Sequence, residues 1–420
     1  MIAKPSLPAA FPRFAGERVL TALSDTPVVL LHGPRQCGKT SLAQALAQPA
    51  GYGYLTFDND STVRSALADP IGFLSDLPPR MVLDEIQRVP EIFTSMKLIV
   101  DRDRVAGRFL LTGSSNVLLL PKLADSLAGR LEAQRLYPLA QCEMARAPSG
   151  FLDALFGASF RMAGHERLGM ELAQRIVAGG YPSAVGRDDI RRREWCRSYI
   201  QSLLQRDVRD LSRIADLDVL PRLLQLIASR TANLVNVSDL ASPFQLSRTT
   251  IGDYVTLLER LFLIEALPAW HLRQINRLVK TPKLHIGDTG LACSLMKVDA
   301  RTLYANKALL GQLLETFVFQ EMRSQASWEG SDISFHHFRN RDDFEVDLVV
   351  ERGFDELAGV EVKASATVGE SDFRGLRKLR EVAAGRFKCG VVLYDGDATL
   401  RFGADMFAVP VRLLWETPVH

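Results

Sequence analysis

The segment from Gly33 to Thr40 reads Gly-Pro-Arg-Gln-Cys-Gly-Lys-Thr and follows the apolar run Val28-Val29-Leu30-Leu31 almost directly. A glycine, four residues, then glycine-lysine-threonine between a buried strand and a helix is the phosphate-loop pattern. Gly33 and Gly38 let the backbone turn so that successive N–H groups face phosphate oxygens. Lys39 brings a point charge to the β- and γ-phosphates, Thr40 offers Mg²⁺ a hydroxyl, and the helix N-terminus favours the anion. The residues expected to hold a nucleoside triphosphate are Gly33, Pro34, Arg35, Gln36, Cys37, Gly38, Lys39, Thr40 and Ser41. Cys37 is either an oxidisable thiol or simply a small residue that fits the turn.

A chain of 420 residues is too long for one ordinary core and implies two or three domains. After the loop, strand-like runs near Tyr54–Phe57, Met81–Leu83, Phe109–Thr112 and Gln134–Tyr137 alternate with helical patterns. The helices are expected near Ser41–Ala47, Pro90–Asp101 and Val117–Ala128, so the first domain reads as a parallel sheet with helices on both faces. An apolar strand ends in Asp84 and Glu85, which places Asp84 beside Mg²⁺ and frees Glu85 to polarise an attacking water. Another strand ends in Thr112, Ser114 and Ser115, hydroxyls within reach of the γ-phosphate or the water. Ser115 and Asn116 serve equally well as caps of the next helix. Arg130 precedes the last strand, where it either reaches a neighbouring subunit's γ-phosphate or forms a surface salt bridge. The first role requires a homo-oligomer. The expected catalytic set is Lys39, Glu85, Ser114 and Arg130.

The formal charge is only +2, so any nucleic-acid surface must come from local clustering. Five cysteines without paired spacing argue against a disulfide framework or a zinc site and fit a reducing compartment. No run of eighteen apolar residues and no signal-peptide order are present, so the expectation is a cytoplasmic protein without a membrane partner.

Gly179-Gly180-Tyr181-Pro182 breaks a helix, as a hinge does. The stretch that follows carries Arg191, Arg192, Arg193, Arg197, Arg206 and Arg209, mostly a solvated face, the alternative being a lid position from which one of them senses nucleotide. Between Leu217 and Leu284, a helix over Pro221–Ser229 precedes Val237-Ser-Asp-Leu-Ala-Ser-Pro-Phe244, and two short helices, the second capped by Ser247, form a helix-turn-helix pattern. Its last helix carries the stripe Ile251, Val255, Leu258 and Leu261. Leu261–Leu267 and Lys283–Ile286 supply a hairpin wing, with Arg273, Arg277 and Lys280 between them. Arg248, Thr249 and Thr250 either face a DNA groove or cap a structural lid.

In the last third, Asp347 lies on one apolar strand and Glu361-Val-Lys363 on the next. This resembles the restriction-endonuclease-like nuclease core. Residues two apart on a strand share a face, so Glu361 and Lys363 converge and a hairpin brings Asp347 beside them. Asp347 and Glu361 are therefore expected metal ligands, Glu315 on the preceding helix a possible third, and Lys363 the group that orients water. An inert binding scaffold is the other outcome. The helix over Glu370–Val382 is basic through Arg374, Arg377, Lys378 and Arg380, which suits a phosphate backbone or a wet face.

Taken together, the loop at 33–40, Leu83-Asp-Glu-Ile-Gln87, Leu111-Thr-Gly-Ser-Ser115 and Leu127-Ala-Gly-Arg130 resemble a family. So do Gly179–Pro182, Tyr199–Leu211, Pro282–His285, Asp288–Leu291 and Glu345–Leu348. The family is the bacterial and archaeal AAA-type ATPases whose second half is the domain of unknown function 4143. The resemblance implies ATP as the nucleotide and a strand order 5-1-4-3-2. It maps the Walker A loop to Lys39 and Thr40, the Walker B acids to Asp84 and Glu85, and the arginine before the last strand to Arg130. The expected architecture is α/β: an AAA-type P-loop ATPase core over 1–145, a helical lid over 146–215, a winged helix over 216–300 and a restriction-endonuclease-like domain over 301–420. The expected function is ATP hydrolysis coupled to DNA. The alternative is an ATP-regulated protein-interaction switch with an inactive nuclease-like domain.

Overall fold

The computed structural model describes residues 11–114, 127–211, 218–271 and 281–419. Ser115, Asn116, Arg273, Arg277 and Lys280 lie outside the described residues, as do most of the helix expected over 117–128 and the side chains of Arg206 and Arg209.

The first sheet is parallel, in the order β2-β3-β4-β1-β5, with β1 Val28–His32, β2 Gly53–Thr56, β3 Met81–Asp84, β4 Phe109–Gly113 and β5 Leu131–Arg135. Read from the other edge this is the 5-1-4-3-2 order implied by the family resemblance. β1 is flanked by strands and buried on both faces, which is why its sequence is a continuous apolar run rather than an alternating one. Val28 and Leu30 pack into one core with Leu83 and Leu111, whereas Val29 and Leu31 pack into the other with Val19 and Ala43. Each such buried side chain contributes about 1.5–3 kcal/mol. The fifth strand begins three residues before the expected Gln134, because pairing of Val28 with Leu131 and His32 with Arg135 sets its register.

Beyond Ala140 one large core runs through the helical middle and one face of the last sheet, and a separate cluster with Trp270, Phe373, Leu376 and Leu379 covers the sheet's other face. Helices Val219–Ser229, Arg248–Arg260 and Thr289–Met296 pack on a small antiparallel sheet, and Met170–Ala178, Asp189–Leu211 and Val237–Ala241 pack on those helices. That sheet has the order β6-β8-β7, from Asn233–Leu234 (β6), Ile264–Leu267 (β7) and Lys283–Ile286 (β8). The last sheet is mixed, in the order β13-β14-β12-β11-β10-β9: Ile333–Arg339, Glu345–Arg352, Glu356–Lys363, Phe387–Tyr394, Leu400–Arg401 and Met406–Pro410 in chain order from β9 to β14. Helix Lys307–Ala326 packs on β11, and Arg374–Ala383 packs on β10, β11 and β12.

The stretch 146–169, expected as part of a lid, packs on this last sheet. Helix Phe151–Gly157 lies against β11 and β12, Arg167 pairs with Asp395 at 2.9 Å, and Gly164 bridges to Ala398. Among the described residues no helix is long and apolar enough to cross a membrane. All five cysteines are buried and free, Cys37 with its thiol against the Leu136 carbonyl at 3.5 Å.

Candidate functional site

The loop leaves β1 at Gly33, whose φ of 151° and closeness to β5 demand glycine: a Cβ there would stand 2.1 Å from the Leu136 carbonyl oxygen. Gly38 (φ 103°) opens the helix Lys39–Ala47. Lys39 is buried and donates its Nζ hydrogens to the carbonyls of Gly33 at 3.0 Å and Pro34 at 2.8 Å, so it is folded back on its own loop. Arg13 braces the loop from behind. It donates to the carbonyls of Cys37 and Tyr137 and to Glu143, a carboxylate buried in the protein that also accepts from the N–H groups of Phe14 and Ala140. Burial pushes the Glu143 carboxyl upward, and Arg13 opposes that shift. Just before the loop, burial and then Arg135 and Lys39 hold His32 down at about 3, so its ring is neutral.

Asp84 closes β3 and gathers three hydroxyl donors: Thr40 at 3.0 Å, Tyr54 at 2.7 Å and Thr112. Glu85 takes the left-handed conformation (φ 57°), uncommon away from glycine and a frequent mark of functional turns. Its carboxylate accepts from Ser114 at 2.8 Å and from Gln87, and Gln87 in turn donates to Ser114 at 2.9 Å. Asp84 and Thr40 fit a Mg²⁺ ion, because hydroxyls release a carboxylate to a cation at small cost. Glu85 and Ser114 meet on one spot, as their strand ends suggested.

Several contributors were not singled out in the sequence. Gln87 and Tyr54 carry no motif of their own, and Arg13 lies before the loop. Tyr199 donates to the Arg35 carbonyl at 3.2 Å and meets the buried Tyr181 hydroxyl at 3.2 Å. Tyr181 belongs to the Gly179–Pro182 break, whose Gly180 N–H donates to the buried Asp288 at 2.8 Å. Two stretches first noticed separately thus join behind the phosphate loop.

Three family models match along the chain: an AAA domain over 25–145, a domain of unknown function (DUF8612) over 170–302, and the domain of unknown function DUF4143 over 310–414. The chain thus carries an AAA domain followed by a DUF4143 domain, the combination its motifs resemble. The AAA model spans the five-stranded sheet and its loop, and the DUF4143 model spans the mixed sheet. The uncharacterized protein Rv2008c of Mycobacterium tuberculosis is 29% identical over 409 residues, covering 96% of this chain and 85% of its own. An uncharacterized protein of Haemophilus influenzae is 26% identical over 254 residues, 57% of this chain and 56% of that one. Among solved structures, the Walker-type ATPase PABY2304 of Pyrococcus abyssi shows 16% identity and a TM-score of 0.45, over 70% of this chain and 99% of that one.

Arg130 stands apart from its own nucleotide loop. It precedes Leu131, the partner of Val28, whereas the loop follows His32 at the far end of β1, about 13 Å away at 3.3 Å per residue. There its guanidinium forks onto Asp101, with Nε at 2.5 Å and Nη2 at 2.8 Å from the two oxygens.

The C-terminal acids do converge, with a correction. Asp347, Glu315 and Glu345 close on the ammonium of Lys283 at 3.2, 2.8 and 2.9 Å. Glu361 pairs with Lys363 at 3.0 Å, and Asp347 accepts the Val362 N–H at 2.9 Å. Lys283 comes from β8 and is buried. Burial pulls its pKa down, but Asp347, Glu315 and Glu345 more than reverse this and leave it above the ordinary lysine value. Burial, then Asp347, lifts Glu315 well above the usual range and Glu361 to about 8. Among the described residues no group of three or more His, Cys, Asp or Glu side chains is disposed to hold a metal ion. The expected metal site at Asp347 and Glu361 is thus a lysine-centred cluster. A divalent ion does not fit where the ammonium already draws on Asp347 and Glu315.

Proposed function

We propose that the protein hydrolyses ATP and uses the nucleotide state to move its helical middle. The observation that carries this reading is the paired arrangement at the end of β3: Asp84 with Thr40, and Glu85 with Ser114. Thr40 and Asp84 would hold Mg²⁺, which would supply positive charge against the developing phosphate charge. Lys39 exchanges the Gly33 and Pro34 carbonyls for phosphate oxygens. Glu85 accepts the proton of the attacking water, and Ser114 orients Glu85. Arg130, too far to act on its own loop, exchanges Asp101 for the γ-phosphate bound by a neighbouring copy, which makes the active species a homo-oligomer. Tyr199 transmits the state of the loop through the Arg35 carbonyl to the helices beyond.

The output of this switch is DNA. The middle sheet and helices support a winged helix, whose helix Arg248–Arg260 leaves Arg248 and Thr249 exposed at its N-terminus. The arrangement helix–β9–β10–β11–helix–β12 supports a restriction-endonuclease-like domain, and Lys283 supports its being a scaffold rather than a nuclease. ATP turnover measured with and without duplex DNA tests the reading: duplex should stimulate the parent, with no Mg²⁺- or Mn²⁺-dependent nicking. Unchanged turnover together with no retention on DNA at moderate salt would favour a protein-binding switch instead. Arg130→Ala should lower turnover while leaving ATP affinity intact; a fully active monomer would end the oligomer assignment.

A further inference from the structure

Three edge strands converge on one cavity. β5 is the free edge of the nucleotide-binding sheet, β7 the edge of the small sheet and β9 the edge of the mixed sheet. Residues of all three, with helix Lys307–Ala326, line a space of about 410 Å³. Its charged lining is unbalanced: Arg18, Arg135 and Arg323 against Glu265 alone.

Arg135 donates to Glu265 at 2.8 Å, and Arg323 donates to the same carboxylate oxygen. Both guanidiniums also lie over the ring of Tyr137, at 4.6 and 4.7 Å from its centroid. Two like charges therefore share one acid and one aromatic face. Arg323 is 5% exposed, and neither its Nε nor that of Arg135, both buried, has a hydrogen-bond partner among the described residues. A buried N–H left unpaired is costly and favours a ligand that accepts it. Burial, and after it the Arg135 charge, pull Arg323 down to about 9. Arg18 contributes a third guanidinium, bonded among the described residues to the carbonyls of Ser327 at 3.4 Å and Glu329 at 2.8 Å. Planar N–H forks of this kind match a tetrahedral oxyanion.

We propose that this cavity is a binding site for a phosphate monoester of a small molecule, distinct from the nucleotide loop. A phosphate monoester carries about −1.5 to −2 at neutral pH, close to the cavity's excess of two positive charges. A monocarboxylate would leave half of that excess uncompensated. The volume is at the lower end of ordinary ligand sites, and Tyr137 and Phe319 offer rings to the ester's organic part.

Calorimetric titration with methyl phosphate tests the site on full-length protein saturated with Mg·ADP, which keeps the probe from the phosphate loop. Binding is expected in the parent and equally in Lys39→Ala. It should be at least tenfold weaker in Arg18→Gln and in Arg135→Gln, and acetate should bind the parent at least tenfold more weakly than methyl phosphate. Arg18→Gln keeps the test decisive should Arg135→Gln fail to fold, because among the described residues Arg18 bonds to backbone carbonyls and to no charged side chain. Binding lost in Lys39→Ala, binding unchanged in Arg18→Gln, acetate equal to methyl phosphate, or no binding to the parent would each overturn the assignment.

Discussion

Asp84 and Asp347 both project from strands beside a second acid, yet their surroundings differ in kind. Asp84 is met by the neutral hydroxyls of Thr40, Tyr54 and Thr112. Asp347 is met by the ammonium of Lys283 and the N–H of Val362. Hydroxyls satisfy a buried carboxylate without cancelling its charge, so the Asp84 site retains its demand for a cation. An ammonium at 2.8–3.2 Å from three acids meets that demand inside the chain itself. Among the described residues one acid pair faces only neutral donors, while the other is consumed in tying β8 to helix Lys307–Ala326 and β10. The same residue type thus meets neutral donors in one place and holds elements together in the other.

The largest expected effect falls on the first site. Glu85→Gln should bind ATP and turn it over about 10²–10⁴-fold more slowly, the usual cost of losing a general base. Steady-state phosphate release checks this, and turnover at the parent rate would remove Glu85 from the mechanism. At the second site the expected loss is of stability. Lys283→Met leaves three carboxylates around an apolar stem, and breaking a buried pair from one side costs about 3–5 kcal/mol. A urea unfolding midpoint close to that of the parent would show that the cluster holds nothing together. If Mn²⁺ restored the midpoint of Lys283→Met, the ammonium would prove to be a stand-in for a divalent ion, and the contrast with Asp84 would narrow to one residue.

The first site was legible because its determinants are local. Gly33, Gly38, Lys39 and Thr40 are fixed by one turn, and Asp84, Glu85 and Ser114 each end a strand whose apolar run announces it. What escaped depends on distant partners. Lys283 sits in a run that reads as a wing strand, and nothing in Pro282-Lys-Leu-His285 says that its side chain crosses to acids on another sheet. Arg13 brackets the loop from outside the motif, and Gln87 matters only because a 3₁₀ turn brings it under Ser114. Residues 146–169 read as a continuation of the lid. They lie on the last sheet because Arg167 finds Asp395 more than two hundred residues later, a pairing that no local pattern encodes.

A smaller effect probes how neutral the Asp84 surroundings are. Tyr54→Phe deletes one hydroxyl donor, worth about 0.5–1.5 kcal/mol, so turnover should change less than tenfold while the Mg²⁺ dependence shifts. A loss as large as that of Glu85→Gln would mean that Tyr54 acts on the reaction rather than on the resting carboxylate.

The smallest effect is the one that separates the two sites by pH. Glu361 has an ordinary value of 4.5 and is lifted to about 8 by burial and by Asp347, so the folded chain keeps a proton there that the unfolded chain releases. Where the folded state binds more protons, stability falls as pH rises. The parent should therefore lose stability from this group as pH increases from about 4.5 to about 8, a direction opposite to that of a carboxylate held below its ordinary value by a partner. Glu361→Gln carries no titrating group at this position and should flatten the decline, without altering the pH profile of ATP turnover, which belongs to residues on another sheet. Urea unfolding at intervals across that window reads the first effect, and phosphate release reads the second. A decline that persists in Glu361→Gln would move the titration to Glu315, also lifted by burial and Asp347. A shift in the turnover profile instead would mean that the acid cluster and the nucleotide site are coupled.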